Sequence, residues 1–118
     1  MVKSYTPDAG DIVFLDFDPQ IGREQAKRRP GLVLTDLRYN RASGLAVVCP
    51  MTSKRKPYPF ALPVNVGGVE GAVLVDQLKS MDWASRRARF YARAAPSMLT
   101  KVRQYVAVLL SIPTARRP

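Results

Sequence analysis

The residues best suited to chemistry lie in a basic segment, residues 23–29, that leads into an apolar run ending at Thr35. Arg29 stands at the end of this segment, directly before Pro30, which has a fixed φ and no amide proton. A planar guanidinium anchored in this way can grip two phosphate oxygens at once, and it stays charged at any physiological pH. The spacing therefore predicts a phosphate-binding site in which Arg29 stabilises negative charge.

Two further groups could act beside Arg29. Thr52 ends another apolar run, and its hydroxyl can donate to a phosphate oxygen, although β-branched residues also favour strands for packing reasons alone. Glu24 is the one acid in the basic segment, and it either accepts a proton or pairs with Lys27 or Arg28. Pairing is the simpler interpretation of Glu24, and residue type alone leaves the role of Thr52 open.

The chain contains no histidine, the side chain that most often moves protons near neutral pH. RNA can still be cleaved by its own 2′-hydroxyl. One group must then take up the 2′ proton, another must stabilise charge on the five-coordinate phosphorus, and a third must assist the departing 5′ oxygen. Arg29 fits charge stabilisation, with proton donation as a second role, whereas acting as a base would require a large fall in its pKa.

No metal ion and no cofactor are expected. Asp16 and Asp18 lie two residues apart, which would place both carboxylates on one face of a strand and could suggest a divalent cation. Pro19 follows at once, no third carboxylate has a recognisable spacing, and the basic surroundings oppose cation binding.

A second basic stretch, residues 53–59, carries two prolines around an aromatic ring. This pattern is typical of a clamp on a nucleic-acid backbone with one stacking ring, and equally of a solvated hairpin tip. The clamp residues would be Lys54, Arg55, Lys56 and Tyr58. Later in the chain, Asp76 interrupts an apolar run, so it is either a buried hydrogen-bond acceptor or a group that faces the site.

The elements that must position these groups are mostly strands. Apolar and β-branched runs predict strands over residues 12–17, 30–35, 45–52, 60–66 and 72–81, the last with a polar interruption at Asp76 and Gln77. Residues 36–44 are predicted to be a polar connection and residues 67–71 a turn. Pro50 argues for an edge position or a bulge near the end of the third strand.

Only the end of the chain is predicted to be helical. Apolar residues recur at three- and four-residue spacing over 98–110, with Pro96 suited to the first turn and Ser97 as a candidate cap. Residues 111–118 are expected to form a frayed basic tail. Short strands with one C-terminal helix indicate a single mainly β domain over residues 1–118, a small SH3-like, partly open antiparallel barrel.

The net charge of +10 favours a polyanionic partner. Residues 23–118 carry 18 basic and 5 acidic side chains, so the positive charge belongs to the part that holds the candidate site. A solubility surface and an acidic protein partner are the alternatives. No apolar run is long enough to span a bilayer, no signal peptide is evident, and the lone Cys49 has no disulfide partner, so we expect a cytoplasmic protein without membrane association.

Several short motifs follow one another in a fixed order. They are Pro7-Asp8-Ala9-Gly10-Asp11, Phe17-Asp18-Pro19, Gly22-Arg23-Glu24-Gln25, Arg28-Arg29-Pro30-Gly31, Tyr39-Asn40, Pro50-Met51-Thr52, Tyr58-Pro59-Phe60 and Asp76-Gln77-Leu78-Lys79 with Trp83 beyond. The ordered set resembles the MazF/PemK family of toxin endoribonucleases from about residue 5 to the final helix. The G-x-E-Q segment followed by R-P, and the later P-x-T and D-Q pairs, are its most specific parts.

The resemblance implies a homodimer that cuts single-stranded RNA at short sequences without metal, leaving 2′,3′-cyclic phosphate and 5′-hydroxyl ends. It also implies a cognate antitoxin with a disordered acidic tail, which suits a basic surface. The catalytic residues would be Arg29, Thr52 and Glu24. The RNA-binding residues would be Asp16, Gln25, Lys27, Arg28, Ser53, Lys54, Arg55, Lys56, Tyr58, Asp76 and Gln77.

Two other functions remain compatible with such a barrel. A CcdB-like poison of the same fold would bind DNA gyrase and cut nothing, but the Arg-Pro and Pro-x-Thr motifs and the basic tail argue against it. A non-catalytic RNA-binding barrel would use the same charge without cleaving. The absence of histidine departs from some relatives of the family, and the very basic stretch at 53–59 leaves the recognised bases open.

Overall fold

The computed structural model describes residues 5–17, 28–54 and 57–113, and in these ranges it contains seven strands, two α-helices and one 3₁₀ turn. The strands are β1 (Asp11–Asp16), β2 (Arg28–Val33), β3 (Leu45–Thr52), β4 (Ala61–Val66), β5 (Val69–Leu74), β6 (Lys79–Asp82) and β7 (Arg89–Arg93). The helices are α1 (Leu37–Ser43) and α2 (Pro96–Leu109), and the 3₁₀ turn is Val75–Gln77. None of the described helices has the length and hydropathy needed to cross a bilayer.

All strand pairs are antiparallel, and the order across the sheet is β4-β5-β3-β2-β1-β7 with β6 beside β3. β3 is central: one edge pairs with β2, and the other pairs first with β6 over Leu45–Val48 and then with β5 at Met51 and Thr52. The curled sheet with its C-terminal helix confirms the predicted mainly β, partly open barrel.

The two faces of the sheet bury different apolar clusters because successive side chains of a strand point to opposite faces. The first cluster lies on the face covered by α2 and includes Ile12, Leu32, Cys49, Met51, Leu62, Val73 and Val102. The second lies on the opposite face and includes Val13, Leu15, Phe17, Val33, Ala46, Val48 and Met81. A third small cluster, Ala61, Ala72 and Leu74 with Tyr58 against it, shares that opposite face, since its members alternate with residues of the first. This alternation decides which side chains can meet in a site.

The polar connection predicted over residues 36–44 is wrong, because most of this segment forms α1. The Asp36 carboxylate caps the helix by accepting a hydrogen bond from the Tyr39 amide at 3.2 Å. Gly44 ends it with φ of 77°, in the left-handed region that glycine adopts without strain. Two local caps therefore make a short helix where the polar composition suggested none.

The middle of α1 is fixed to the barrel by Asn40, which is fully buried. Its side-chain amide donates to the carbonyls of Pro7 and Thr35, at 2.8 Å each, and its backbone carbonyl accepts from the Trp83 indole at 3.2 Å. Trp83 itself is half-buried against the second apolar cluster. These bonds tie α1 to both the N-terminal segment and the end of β6.

The single strand predicted over residues 72–81 is also wrong, since the 3₁₀ turn divides it into β5 and β6. The predicted turn at 67–71 shrinks to Gly67 and Gly68, both with positive φ, and β5 begins at Val69. Pro50 does not mark an edge strand, because β3 is central. It lies between the stretch of β3 that pairs with β6 and the stretch that pairs with β5.

The structure adds β7, an edge strand of the sheet that the sequence did not predict. Of the two expectations for the start of α2, Pro96 is confirmed in the first turn, but the helix begins after Ala95 and Ser97 does not cap it. Cys49 is buried and free, and burial raises the pKa of its thiol to about 12.

Candidate active site

Arg29 and Thr52 lie on the same face of neighbouring strands. In the β1–β2 ladder Arg29 is opposite Leu15, a member of the second apolar cluster. The β2–β3 pairing ends at Gly31 and Pro50; continued by two residues, the same register would bring Arg29 opposite Thr52. Because residues opposite one another in antiparallel strands point to the same side, both side chains belong to the face opposite α2.

Thr52 is held by two strands and by its own turn. It pairs with Ala72 of β5, and its Oγ1 accepts a hydrogen bond from the Lys54 amide at 3.1 Å. The backbone amide uses an oxygen lone pair, so the hydroxyl proton stays available to a ligand. Gly71 of β5 approaches the Thr52 carbonyl so closely that a Cβ there would lie 2.3 Å from the oxygen. The Thr52 hydroxyl is therefore a hydrogen-bond donor on a backbone that is closely packed against β5.

Arg29 differs from its neighbour Arg28. The Arg29 side chain is half-buried and makes no hydrogen bond or ion pair among the residues that the structure describes. Arg28 points to the other face, where it bonds to the Asp16 carboxylate at 3.1 Å and to the carbonyls of Phe14 and Arg87. A guanidinium that is held at a strand start and has no partner within the described part of the chain is suited to binding an anionic ligand.

A groove of about 680 Å³ begins beside Thr52 on the same face. It is lined by Pro57, Tyr58, Pro59, Ala61, Pro63, Gly71 and Ala72. Tyr58 donates its hydroxyl to the Asp76 carboxylate at 2.7 Å, and this hydrogen bond raises the pKa of the Tyr58 phenol. Asp76 and its neighbour Gln77 are exposed, so of the two roles left open for Asp76, a buried acceptor is ruled out. The groove therefore combines a ring with an exposed acceptor beside it.

Asp16 belongs to a cluster of arginines on the opposite face of the sheet. Its carboxylate accepts from Arg28 at 3.1 Å and from the Nε of Arg87 at 2.9 Å. The bond from Arg87, followed by that from Arg28, holds the pKa of Asp16 below its usual range, against the opposing effect of partial burial. The structure thus places Asp16 and Arg28, both predicted to bind RNA, in contact with each other rather than with Arg29.

Sequence reasoning missed Arg86 and Arg87, which follow β6. Arg86 Nη1 donates to the carbonyl of Asp16 at 3.0 Å and also to that of Phe17, while Arg87 binds the Asp16 carboxylate. The signal in the sequence was a pair of adjacent arginines at 86 and 87, but nothing in their spacing points to partners some 70 residues earlier.

The structure describes only some of the remaining predicted site residues. Ser53 and Lys54 are exposed directly after β3. Glu24, Gln25, Lys27, Arg55 and Lys56 lie outside the described residues. Among the described residues, no three His, Cys, Asp or Glu side chains stand close enough to hold a metal ion together.

The chain is similar to known proteins in both sequence and structure. A family model described as the PemK-like, MazF-like toxin of type II toxin-antitoxin systems matches residues 8–110. The endoribonuclease toxin MazF of Escherichia coli is 38% identical over 110 residues, covering 93% of this chain and 99% of its own. The endoribonuclease toxin ChpB of Escherichia coli is 36% identical over 105 residues, covering 84% and 90%. The crystal structure of MazE-MazF (Form-II) from Deinococcus radiodurans has a TM-score of 0.86 at 46% identity, covering 93% of this chain and all of the other.

Proposed function

Because the chain belongs to the PemK-like, MazF-like toxin family of type II toxin-antitoxin systems, we propose that it is a sequence-specific endoribonuclease acting on single-stranded RNA. The endoribonuclease activity is that of its curated relatives. The finer proposal is a metal-independent cleavage in which the RNA supplies its own nucleophile. The observation that carries it is that strand alternation puts Arg29 and Thr52 on one face of neighbouring strands, the face on which the groove that holds Tyr58 lies.

The proposed reaction is an internal transesterification. The 2′ oxygen attacks the adjacent phosphorus and loses its proton, a bond from the 2′ oxygen to phosphorus forms, and the bond from phosphorus to the 5′ oxygen breaks. The leaving 5′ oxygen takes up a proton, and the products are a 2′,3′-cyclic phosphate and a 5′-hydroxyl. Neither water nor an oxidant enters this step.

Three residues are assigned roles in this step. Arg29 and the Thr52 hydroxyl donate to the non-bridging phosphate oxygens, where negative charge builds up in the transition state. Arg29 also stands as the donor of a proton to the leaving oxygen. Glu24 is placed as the third catalytic residue, and its carboxylate is the acceptor nearest in sequence for the 2′ proton.

The RNA strand is proposed to continue along the groove. Tyr58 offers a ring for stacking, and the exposed Asp76 and Gln77 offer hydrogen-bonding groups to a base edge. Backbone contacts are assigned to the basic residues on both sides of the site. They are Lys27, Lys54, Arg55 and Lys56, with Gln25 and Ser53 as further polar groups, whereas Arg28 and Asp16 bond to each other on the opposite face.

The same basic surface suits an antitoxin. A MazE-MazF complex is known for a relative of 46% identity, so we place a cognate antitoxin with an acidic, disordered tail among the partners of this chain. The +10 charge favours that tail on electrostatic grounds. A homodimer and a cytoplasmic location complete the proposal.

Cleavage of a long RNA in EDTA tests the proposal directly, beside the same RNA with 2′-deoxy sugars. We expect cuts only in the all-ribose RNA, with cyclic phosphate on one end and a free hydroxyl on the other. Arg29→Ala and Thr52→Ala should each lower kcat by about 100-fold or more while the protein stays folded. Lys101→Ala and Thr100→Ala, on the exposed side of α2, are the matched controls. Cutting of the deoxy RNA, or binding without cutting, would overturn the mechanism.

A further inference from the structure

Arg87 has an unusual backbone conformation for its residue type. Its φ is 56°, in the left-handed region, where a side chain with a Cβ is disfavoured and glycine is not. It lies in the connection between β6 and β7, and 68% of its side chain is exposed, so burial does not explain its presence. Residues kept in such conformations are often held there by contacts that serve a site.

The contacts of Arg87 join three parts of the chain. Its Nε and Nη2 donate to the two carboxylate oxygens of Asp16, at 2.9 and 3.3 Å, at the end of β1. Its own carbonyl accepts from Arg28 at 2.8 Å, at the start of β2. We call Asp16, Arg28, Arg86 and Arg87 the arginine junction. The bidentate contact and the backbone contact together fix how β1 and β2 lie relative to one another at this end.

Arg86 strengthens the same junction through the backbone. Its carbonyl accepts from the Asp16 amide at 2.9 Å, and its guanidinium donates to the Asp16 carbonyl at 3.0 Å. The carbonyl of Phe17 accepts from the same nitrogen. These bonds pair the β6–β7 connection with the end of β1 as an extra strand would.

Arg29 directly follows Arg28 and points to the opposite face. The Arg28 side chain is bonded to Asp16, Phe14 and Arg87 on one face, which holds this end of β2, and strand alternation projects Arg29 on the other face. The junction lies on the side of the sheet away from Thr52, so it acts on Arg29 through the strand.

We propose that Arg87 is a positioning residue that holds Arg29 in line with Thr52 by fixing Arg28 and Asp16 at the junction. This inference rests on the proposed ribonuclease activity. It assigns a role in the reaction to a residue that touches neither the candidate catalytic pair nor the groove. Glycine would fit the backbone conformation of Arg87 but cannot supply the guanidinium.

Arg87→Gly separates positioning from folding, because glycine suits a φ of 56° and removes only the side-chain contacts. We expect kcat to fall by about 10- to 100-fold with KM changed by less than about twofold and Tm nearly unchanged, since small displacements of a catalytic group are costly. Arg87→Lys, which keeps the charge but not the bidentate geometry, should recover part of the loss. Lys101→Ala removes one positive charge from α2 as a control.

The acid side of the kcat profile gives a second readout. Among the described residues, the charged groups facing the Asp16 carboxylate are Arg28 of β2 and Arg87 of the β6–β7 connection, with Arg86 against its backbone. Removing Arg87 leaves Asp16 easier to protonate, so the fall in kcat on acidification should begin at a higher pH in Arg87→Gly.

Three results would overturn the positioning role of Arg87. Each leaves the proposed function intact as long as the wild-type protein cleaves RNA. The first is an unchanged kcat in Arg87→Gly. The second is a rise in KM with a salt dependence of binding shallower by about 0.7 in log-log slope, which would mean that Arg87 contacts an RNA phosphate directly. The third is a kcat loss that follows a large drop in Tm. Failure of the wild-type protein to cleave RNA would instead reject the proposed function.

Discussion

Replacing Gly71 with alanine should disturb the candidate site through the backbone of Thr52. The φ of Gly71 is not in the left-handed region, so alanine has no conformational conflict there. The added Cβ would lie 2.3 Å from the Thr52 carbonyl oxygen, whereas real Cβ contacts essentially never fall below 3.0 Å. β5 and β3 must therefore separate locally by at least the difference, about 0.7 Å, at the point where Thr52 pairs with Ala72.

The cost of that separation has two parts. Overpacking against a backbone atom typically destabilises a protein by about 1–3 kcal/mol. Displacement of a reacting group by close to 1 Å can lower the rate by roughly 100-fold, so for Gly71→Ala we expect kcat to fall by about 10- to 100-fold. Steady-state cleavage of a fluorogenic RNA, together with urea unfolding, measures both quantities in one preparation.

Val102→Ala is the matched control for this experiment. Val102 is fully buried in α2, and its truncation should cost a similar amount, about 1–3 kcal/mol, far from Thr52. It should leave kcat unchanged wherever the protein is folded. If both variants lose activity in proportion to their loss of stability, or if Gly71→Ala keeps full kcat, the assignment of Thr52 to a rigid catalytic position is refuted.

Two further predictions concern stability. Asn40→Ala should cost roughly 2–4 kcal/mol in urea unfolding, because it leaves the buried carbonyl of Pro7 and the half-buried carbonyl of Thr35 without their donor. Thr100→Ala is the control, and a loss below about 1 kcal/mol would contradict the expectation. Asp16 has a folded pKa below its unfolded value, so its charge stabilises the protein above about pH 4 and that contribution disappears as the pH falls through the folded pKa. Asp16→Asn should therefore be less stable than wild type at pH 7, with a deficit that shrinks as the pH falls below about 4. A deficit that does not change with pH would refute this linkage.

Sequence patterns were sufficient to locate the strands and the helix whose own residues carry a clear apolar pattern. The apolar runs located β1 to β4 within a few residues of their observed bounds, and the periodic apolar residues located α2. The strand β7, which forms by pairing with the distant strand β1, was not predicted. β7 has exposed Phe90 and Tyr91 and charged ends, so it lacks an alternating pattern and is a strand only because β1 pairs with it.

Sequence patterns also failed to predict the break between β5 and β6 and the helix α1. The pattern of residues 72–81 predicts one strand. In the structure, β5 and β6 pair with the same edge of β3 at different points along it, and the 3₁₀ turn carries the chain from one point to the other. α1 was missed because its helical signal lies in its caps, Asp36 and Gly44, rather than in an apolar stripe.

For the candidate site, the sequence could identify Arg29 and Thr52 by residue type and position, and their roles stay a prediction. It could not tell that Arg28 and Arg29, adjacent and identical, face opposite ways and have different surroundings. It also gave no sign that Asp16 would be bonded by Arg87, because an ion pair across 71 residues leaves no trace in spacing. Charge composition predicts a basic surface, but only the strand register separates Arg28, which is bonded within the sheet, from Arg29, the proposed phosphate ligand.

The distance in sequence between Asp16 and Arg87 has a consequence for the order of synthesis. The ribosome makes β1 and β2 early, and the residues that fix their ends emerge only after β6 has been completed. In the proposed mechanism a nascent chain therefore holds Arg29 in place only once translation has passed Arg87.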